Sequence, residues 1–114
     1  MPRNFRCNRL KLRPDSLDAV EKWAEDGRTR AEEVAVTLRD EGIDLELVLL
    51  EHAADGDYLI FIMETDDYER ALEVFKQSKH AVDESHARFL EENVLGSTQL
   101  RVLNCHEAYP APDA

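Results

Sequence analysis

The sequence is poor in residues that staple, break or anchor a chain. It holds two cysteines, four glycines, four prolines and one tryptophan in 114 residues. Two cysteines make no disulfide framework. There is no Cys-x-x-Cys pair, no glycine-rich phosphate loop and no Gly-x-Ser-x-Gly elbow. The longest apolar run, Tyr58 to Met63, is strand length, well short of the ~18 residues of a membrane span. Met1 to Arg13 carries arginines but no apolar stretch of a signal peptide. These absences point to a cytoplasmic, soluble protein without membrane contact.

Lysine is scarce too. Lys11, Lys22, Lys76 and Lys79 are the only four, and 25 acidic side chains outweigh 14 basic ones for a net charge of −11. Phosphate recognition needs concentrated positive charge, which argues against a nucleic-acid partner. Abundant acid with little lysine suits a high-salt, halophilic cytoplasm, where screening weakens self-repulsion; an ordinary acidic mesophile protein is the alternative. The basic charge is uneven. Arg3, Arg6, Arg9, Lys11 and Arg13 crowd one acid-free segment.

Hydrophobic residues make up 43% of the chain, enough for a packed core. The length suits one domain, expected over residues 1–107, with 108–114 as a loose tail holding Pro110 and Pro112. Phe5 to Arg13 alternates like a strand, with Asn8, Leu10 and Leu12 on one face and Phe5, Cys7, Arg9, Lys11 and Arg13 on the other. Pro14 ends it, and Asp15 or Ser16 is placed to cap a helix. Leu17, Val20, Ala24, Gly27, Ala31, Val34 and Leu38 then recur at three-and-four spacing. That stripe predicts one long helix from Ser16 to Glu41, closed by Gly42; a capping box of Thr29 with Glu32 that restarts a second helix after Gly27 is the alternative. Ile43 to His52 and Asp57 to Glu64 read as strands around the hairpin signal Asp55-Gly56. Asp66 with Glu69 opens a helix through Phe75; Asp83 caps another that carries His86 and Phe89 and stops at Gly96. A last strand is expected over Thr98 to Glu107.

The order β-α-β-β-α-β, with its second helical unit split in two, predicts an α+β ferredoxin-like domain. Its four-stranded antiparallel sheet has the order 4-1-3-2, with helices on one face. Both faces of the hairpin strands are apolar. Val48 and Leu50 oppose Ile43, Leu45, Leu47 and Leu49; Leu59, Phe61 and Met63 oppose Tyr58, Ile60 and Ile62. A sheet with one wet face would alternate cleanly. The pattern predicts a homodimer in which a second copy covers the open face; a purely structural dimer without a ligand would fill the space between sheets with Leu50, Leu59, Phe61 and Met63. Cover by the split helix or the C-terminal tail is the alternative.

The element order, the helix ending Leu38 to Gly42, the Asp55 to Tyr58 hairpin and the segment Lys79 to His86 resemble a family of small uncharacterised archaeal and bacterial proteins. The fold resembles the dimeric α+β barrel superfamily, which includes cofactor-free monooxygenases and sugar mutarotases. The mutarotases use a histidine on the first helix, and none lies between Asp15 and Glu41 here. That departure counts against a mutarotase.

Three groups of residues could carry chemistry. Arg9, Lys11 and Arg13 line one sheet face and suit a carboxylate or phosphate ligand; pairing with Asp44, Glu46 or Glu64 is the structural alternative. Asp83 and His86 share a helix face as a base and its orienting carboxylate, with His80 nearby. Tyr58 and Glu51 at the hairpin would add a proton donor and a second carboxylate. The structural alternative makes Asp83 a cap and His86 a surface residue, and the spacing matches no strong metal pattern. Finally, a register summing to 112 sets Cys7 opposite Cys105, either as two thiols or as a cross-strand pair. The expected function is a homodimeric binding or interaction module for a small anionic ligand held between sheet and helices by Arg9, Lys11, Arg13 and Glu51. The alternative is a cofactor-independent enzyme, monooxygenase- or isomerase-like, using His86, Asp83, Tyr58 and His80. Neither metal nor cofactor is expected.

Overall fold

Alternation in the first segment builds a central strand. In a computed structural model that describes residues 3–109, β1 (Phe5–Leu12) buries Asn8, Leu10 and Leu12 and leaves the intervening side chains half-buried. The chain turns through Asp15, whose φ of 64° is one an aspartate tolerates. Ser16 takes the N-cap position without a side-chain capping bond.

The expected long helix is two helices, α1 (Leu17–Thr29) and α2 (Ala31–Glu41). Arg30 leaves helical geometry at φ −105°, ψ 32°. Its guanidinium ties the joint together by binding Asp26 and Glu33. Backbone bonds from Arg30 N–H to Asp26 and from Val34 N–H to Arg30 continue across it. The apolar stripe therefore survives the bend, and the chain takes the alternative of a second helix, restarted next to Thr29. Gly42 ends α2 as anticipated, in the left-handed region at φ 76°. Its carbonyl accepts from Thr65 Oγ1 at 3.0 Å, fastening the helix end to the sheet.

β2 (Ile43–Ala53) and β3 (Gly56–Thr65) form the hairpin around Ala54 and Asp55. Asp67, one residue beyond the expected Asp66, caps α3 (Tyr68–Gln77) by accepting from Arg70 N–H. Asp66 instead accepts from the Asn4 amide. His80, not Asp83, holds the N-cap position of α4 (Ala81–Asn93), so Asp83 lies inside the first turn and is buried. The helix passes directly into β4 (Val94–Leu100), and Gly96 pairs with Lys11 inside that strand rather than stopping the helix.

The early start of β4 changes the register. The Arg13 N–H bonds to Asn93 O at 2.8 Å and fixes where the strand begins. Cys7 faces Leu100, whereas Cys105 is exposed beyond the strand; both thiols are free. The Cys7–Cys105 pairing is thereby excluded. Residues 101–109 have no regular structure, and of the tail expected over 108–114, residues 110–114 lie outside the described residues.

The sheet order is β2-β3-β1-β4, all antiparallel, as the sequence predicts when read from the opposite edge. The core gathers Leu10, Leu12, Val20, Ile43, Leu59, Phe61, Met63, Ala71 and Phe89 on the helix side. This corrects the expected faces. Leu59, Phe61 and Met63 pack under the helices, and the open face carries Leu45, Leu47 and Leu49 with Ile60 and Ile62. The cause is an irregularity between Ile43 and Leu45. Ile43 is buried and Leu45 is 49% exposed, so alternation counted from Ile43 puts the wrong set inside.

Candidate functional site

Two clusters of polar groups flank the sheet, one on each side. On the open face, Arg9, Lys11 and Tyr58 meet across the paired strands β1 and β3. The Arg9 guanidinium lies 3.5 Å from the Tyr58 ring centroid and its Nε donates to Glu51 at 2.8 Å. Lys11 Nζ donates to Asp55 and to the Tyr58 hydroxyl, which itself donates to Asp55 at 2.6 Å. Two cations and two carboxylates close on one another. The Tyr58 and Lys11 hydrogen bonds hold the Asp55 carboxyl below its ordinary range, and Tyr58 and Asp55 hold the Lys11 ammonium above its own.

These residues do not form the expected anion pocket. Arg9 and Lys11 project away from the space between sheet and helices. Arg13 lies beyond the strand, exposed, donating to Glu92 O at 2.9 Å. The reason is their register: Leu10 and Leu12 take the core side, so their neighbours must point outward.

On the other side, the helices stand off the sheet around a cavity of about 1110 Å³. Its wall is largely aliphatic, with one aromatic cluster around His86. Trp23 of α1 stacks on Phe89 with centroids 4.7 Å apart and approaches Phe61 of β3 at 5.9 Å. The edge of Phe75 meets the His86 ring at 5.4 Å. Trp23 Nε1–H donates to His86 Nδ1 at 3.1 Å. That bond requires a lone pair on Nδ1 and leaves the proton on Nε2. Burial pushes the His86 pKa down to about 4, against the opposing pull of Asp83, and keeps the ring neutral at pH 7.

Glu41, Glu46 and Asp83 also line the cavity. Glu41 is the last residue of α2, held by the Gly42 turn; Glu46 faces the helices opposite Met63; Asp83 lies one turn before His86. Burial, then the charges of Asp83, Glu46 and Asp40, push Glu41 up to about 8. Glu46 is raised by burial and Asp83. Glu41 and Asp83 are only 7% and 8% exposed, yet neither carboxyl has a hydrogen-bond partner among the described residues. No described polar side-chain atom is both fully covered and unpartnered, so their oxygens open onto the cavity.

Of the expected catalytic set, the structure brings Asp83 and His86 to one cavity. Tyr58 lies across the sheet from them, and His80 sits at the exposed start of α4, 3.1 Å from Asp40. Glu41 escapes the sequence reading, and Glu46, expected as a partner of the basic stripe, faces the cavity instead. One signal marks Glu41: it falls three residues after Leu38, continuing the apolar stripe. Among the described residues, no group of three or more histidine, cysteine or acidic side chains is arranged to hold a metal ion.

A model of a family of unknown function, DUF6176, matches residues 3–108. The chain belongs to the DUF6176 family. No curated protein matches this family member significantly. Among solved structures, it is similar to that of Rv0793 from Mycobacterium tuberculosis, with a TM-score of 0.51 and 20% identity over 90% of this chain and 97% of that one. At that identity the DUF6176 chain and Rv0793 share a fold. The α+β ferredoxin-like assignment thus rests on topology and on a solved neighbour.

Proposed function

We propose that this protein is a homodimeric small-molecule-binding protein whose ligand occupies the space between sheet and helices. One observation carries the reading: the cavity of about 1110 Å³ has an apolar wall that includes Trp23, Phe61 and Phe75, and a few convergent polar groups, Glu41, Asp83 and His86. Binding sites for small molecules have this composition. The homodimer is supported by Leu45, Leu47 and Leu49, 42–49% exposed in one row on the open face. A second copy laid face to face would remove that row from water. The closed Arg9–Glu51 and Lys11–Asp55 pairs would border such an interface.

Titration with the neutral apolar dye Nile red tests the binding reading, because Trp23 lines the cavity and is the sole tryptophan. Saturable change in Trp23 emission, kept in Leu47→Asp and lost in the cavity-filling Ala24→Phe, is the expected result. A linear response unaffected by Ala24→Phe would overturn it.

A second reading, a cofactor-independent enzyme, is favoured by Asp83, His86 and Glu41 lining one cavity. Glu41 would hold a proton near neutrality and the His86 Nε2–H would orient substrate. Proton exchange into a bound carbon acid, slowed in Glu41→Gln, would support this reading over simple binding.

A further inference from the structure

The cavity is charged in one sense. Its lining includes six acidic residues: the buried Glu41 and Asp83, the half-buried Glu46, and the exposed Glu21, Asp26 and Glu91, with Arg28 exposed beside them and Asp26 already paired to Arg30. The neutral His86 adds no positive charge. An anion would enter against this field. A neutral apolar ligand would leave the deepest acids unanswered: Glu41 and Asp83 are each more than nine-tenths buried, and neither carboxyl has a partner among the described residues. A ligand that covers these oxygens without donating to them would desolvate them at a cost.

The aromatic cluster points the same way. Trp23, Phe61 and Phe75 surround His86, and aromatic faces attract cations by their quadrupole as well as packing hydrocarbon. The donors are not arranged for a metal ion. An ammonium on an organic body meets all of these conditions, because its N–H donors satisfy carboxylates and its carbon skeleton fills apolar volume.

We propose that the cavity binds an organic amine in its ammonium form, with the charged nitrogen between Glu41 and Asp83 and its apolar body against Trp23 and Phe61. The inference rests on the small-molecule reading above and gives its ligand a chemical class. Binding draws Glu41 to its carboxylate form and releases a proton to solvent below about pH 8. The groups that set this balance are Asp40 on the same helix, Glu46 from β2, Asp83 from α4, the cavity's His86 and the Arg70 guanidinium of α3 beside Gly42.

A matched trio tests it: cyclohexylmethylamine, cyclohexylmethanol and cyclohexanecarboxylate, titrated into the full chain while Trp23 emission and heat are followed. The amine is expected to bind at least about tenfold more tightly than the alcohol, as charge-assisted hydrogen bonds require, and the carboxylate not at all. The Glu41→Gln, Asp83→Asn double variant should lose that preference and keep alcohol binding, which also shows that it is folded. Equal affinities for amine and alcohol, or tighter binding of the carboxylate, would overturn the amine assignment and leave the cavity reading standing. Failure of all three up to millimolar concentration would overturn both.

Discussion

Trp23 and His86 lock to each other across the helix layer. The indole N–H donates to Nδ1 at 3.1 Å, and the rings stack with centroids 5.3 Å apart. Removing the acceptor leaves a half-buried donor without a partner. His86→Leu should therefore destabilise the fold by about 1–3 kcal/mol, measured as a lowered urea midpoint. His86→Gln, which can still present an oxygen to the indole, should recover part of that loss.

The pH dependence of stability follows from two opposite shifts. Glu41 rises from an ordinary 4.5 to about 8 in the folded chain, so the native state binds the extra proton in that interval. Stability contributed by this group is complete below pH 4.5 and is lost as pH rises through 8. His86 falls from 6.5 to about 4, so its contribution is complete above 6.5 and is lost on acidification towards 4. Above pH 6.5 the His86 contribution is complete, and the decline up to pH 8 is that of Glu41. Urea unfolding should show stability declining across that window, with a shallower decline in Glu41→Gln.

On the homodimer reading, the row Leu45, Leu47 and Leu49 is the centre of the interface. A carboxylate placed there faces its own copy across a two-fold axis and repels it. Leu47→Asp should convert a two-chain species to a one-chain species in sedimentation equilibrium, with far-UV circular dichroism unchanged.

The two thiols should differ in reactivity. Cys105 is exposed, whereas Cys7 is half-buried on the open face and burial raises its pKa. Alkylation with iodoacetamide at neutral pH should label Cys105 first and Cys7 several-fold more slowly. Mass spectrometry without reductant should find no internal cross-link between them.

Much of this architecture is legible in the sequence because local chemistry and global packing agree. Leu10 and Leu12 mark the inner face of β1, Gly42 ends its helix in the left-handed region, and Asp55-Gly56 marks the hairpin. Two of the misreadings share one physical origin: a pattern persists through a local irregularity. The apolar stripe runs on through the bend at Arg30, and alternation through Ile43 to Leu49 conceals the step that exchanges the faces. The cavity is less legible, because its acids are scattered over α2, β2 and α4. Glu41 occupies a position where the stripe calls for an apolar residue, and only the assembled fold sets Asp83 within reach of its charge.

The border position of β2 has a further consequence. The strand is eleven residues long, contains neither proline nor glycine, and pairs on one side only among the described residues. Such a margin is a template for ribbon-like polymerisation. Asp44, Glu46 and Glu51 interrupt its leucines with negative charge, a safeguard that acidification would dissolve. The same surplus of acid that sets the net charge of −11 thus guards the most adhesive rim of the sheet.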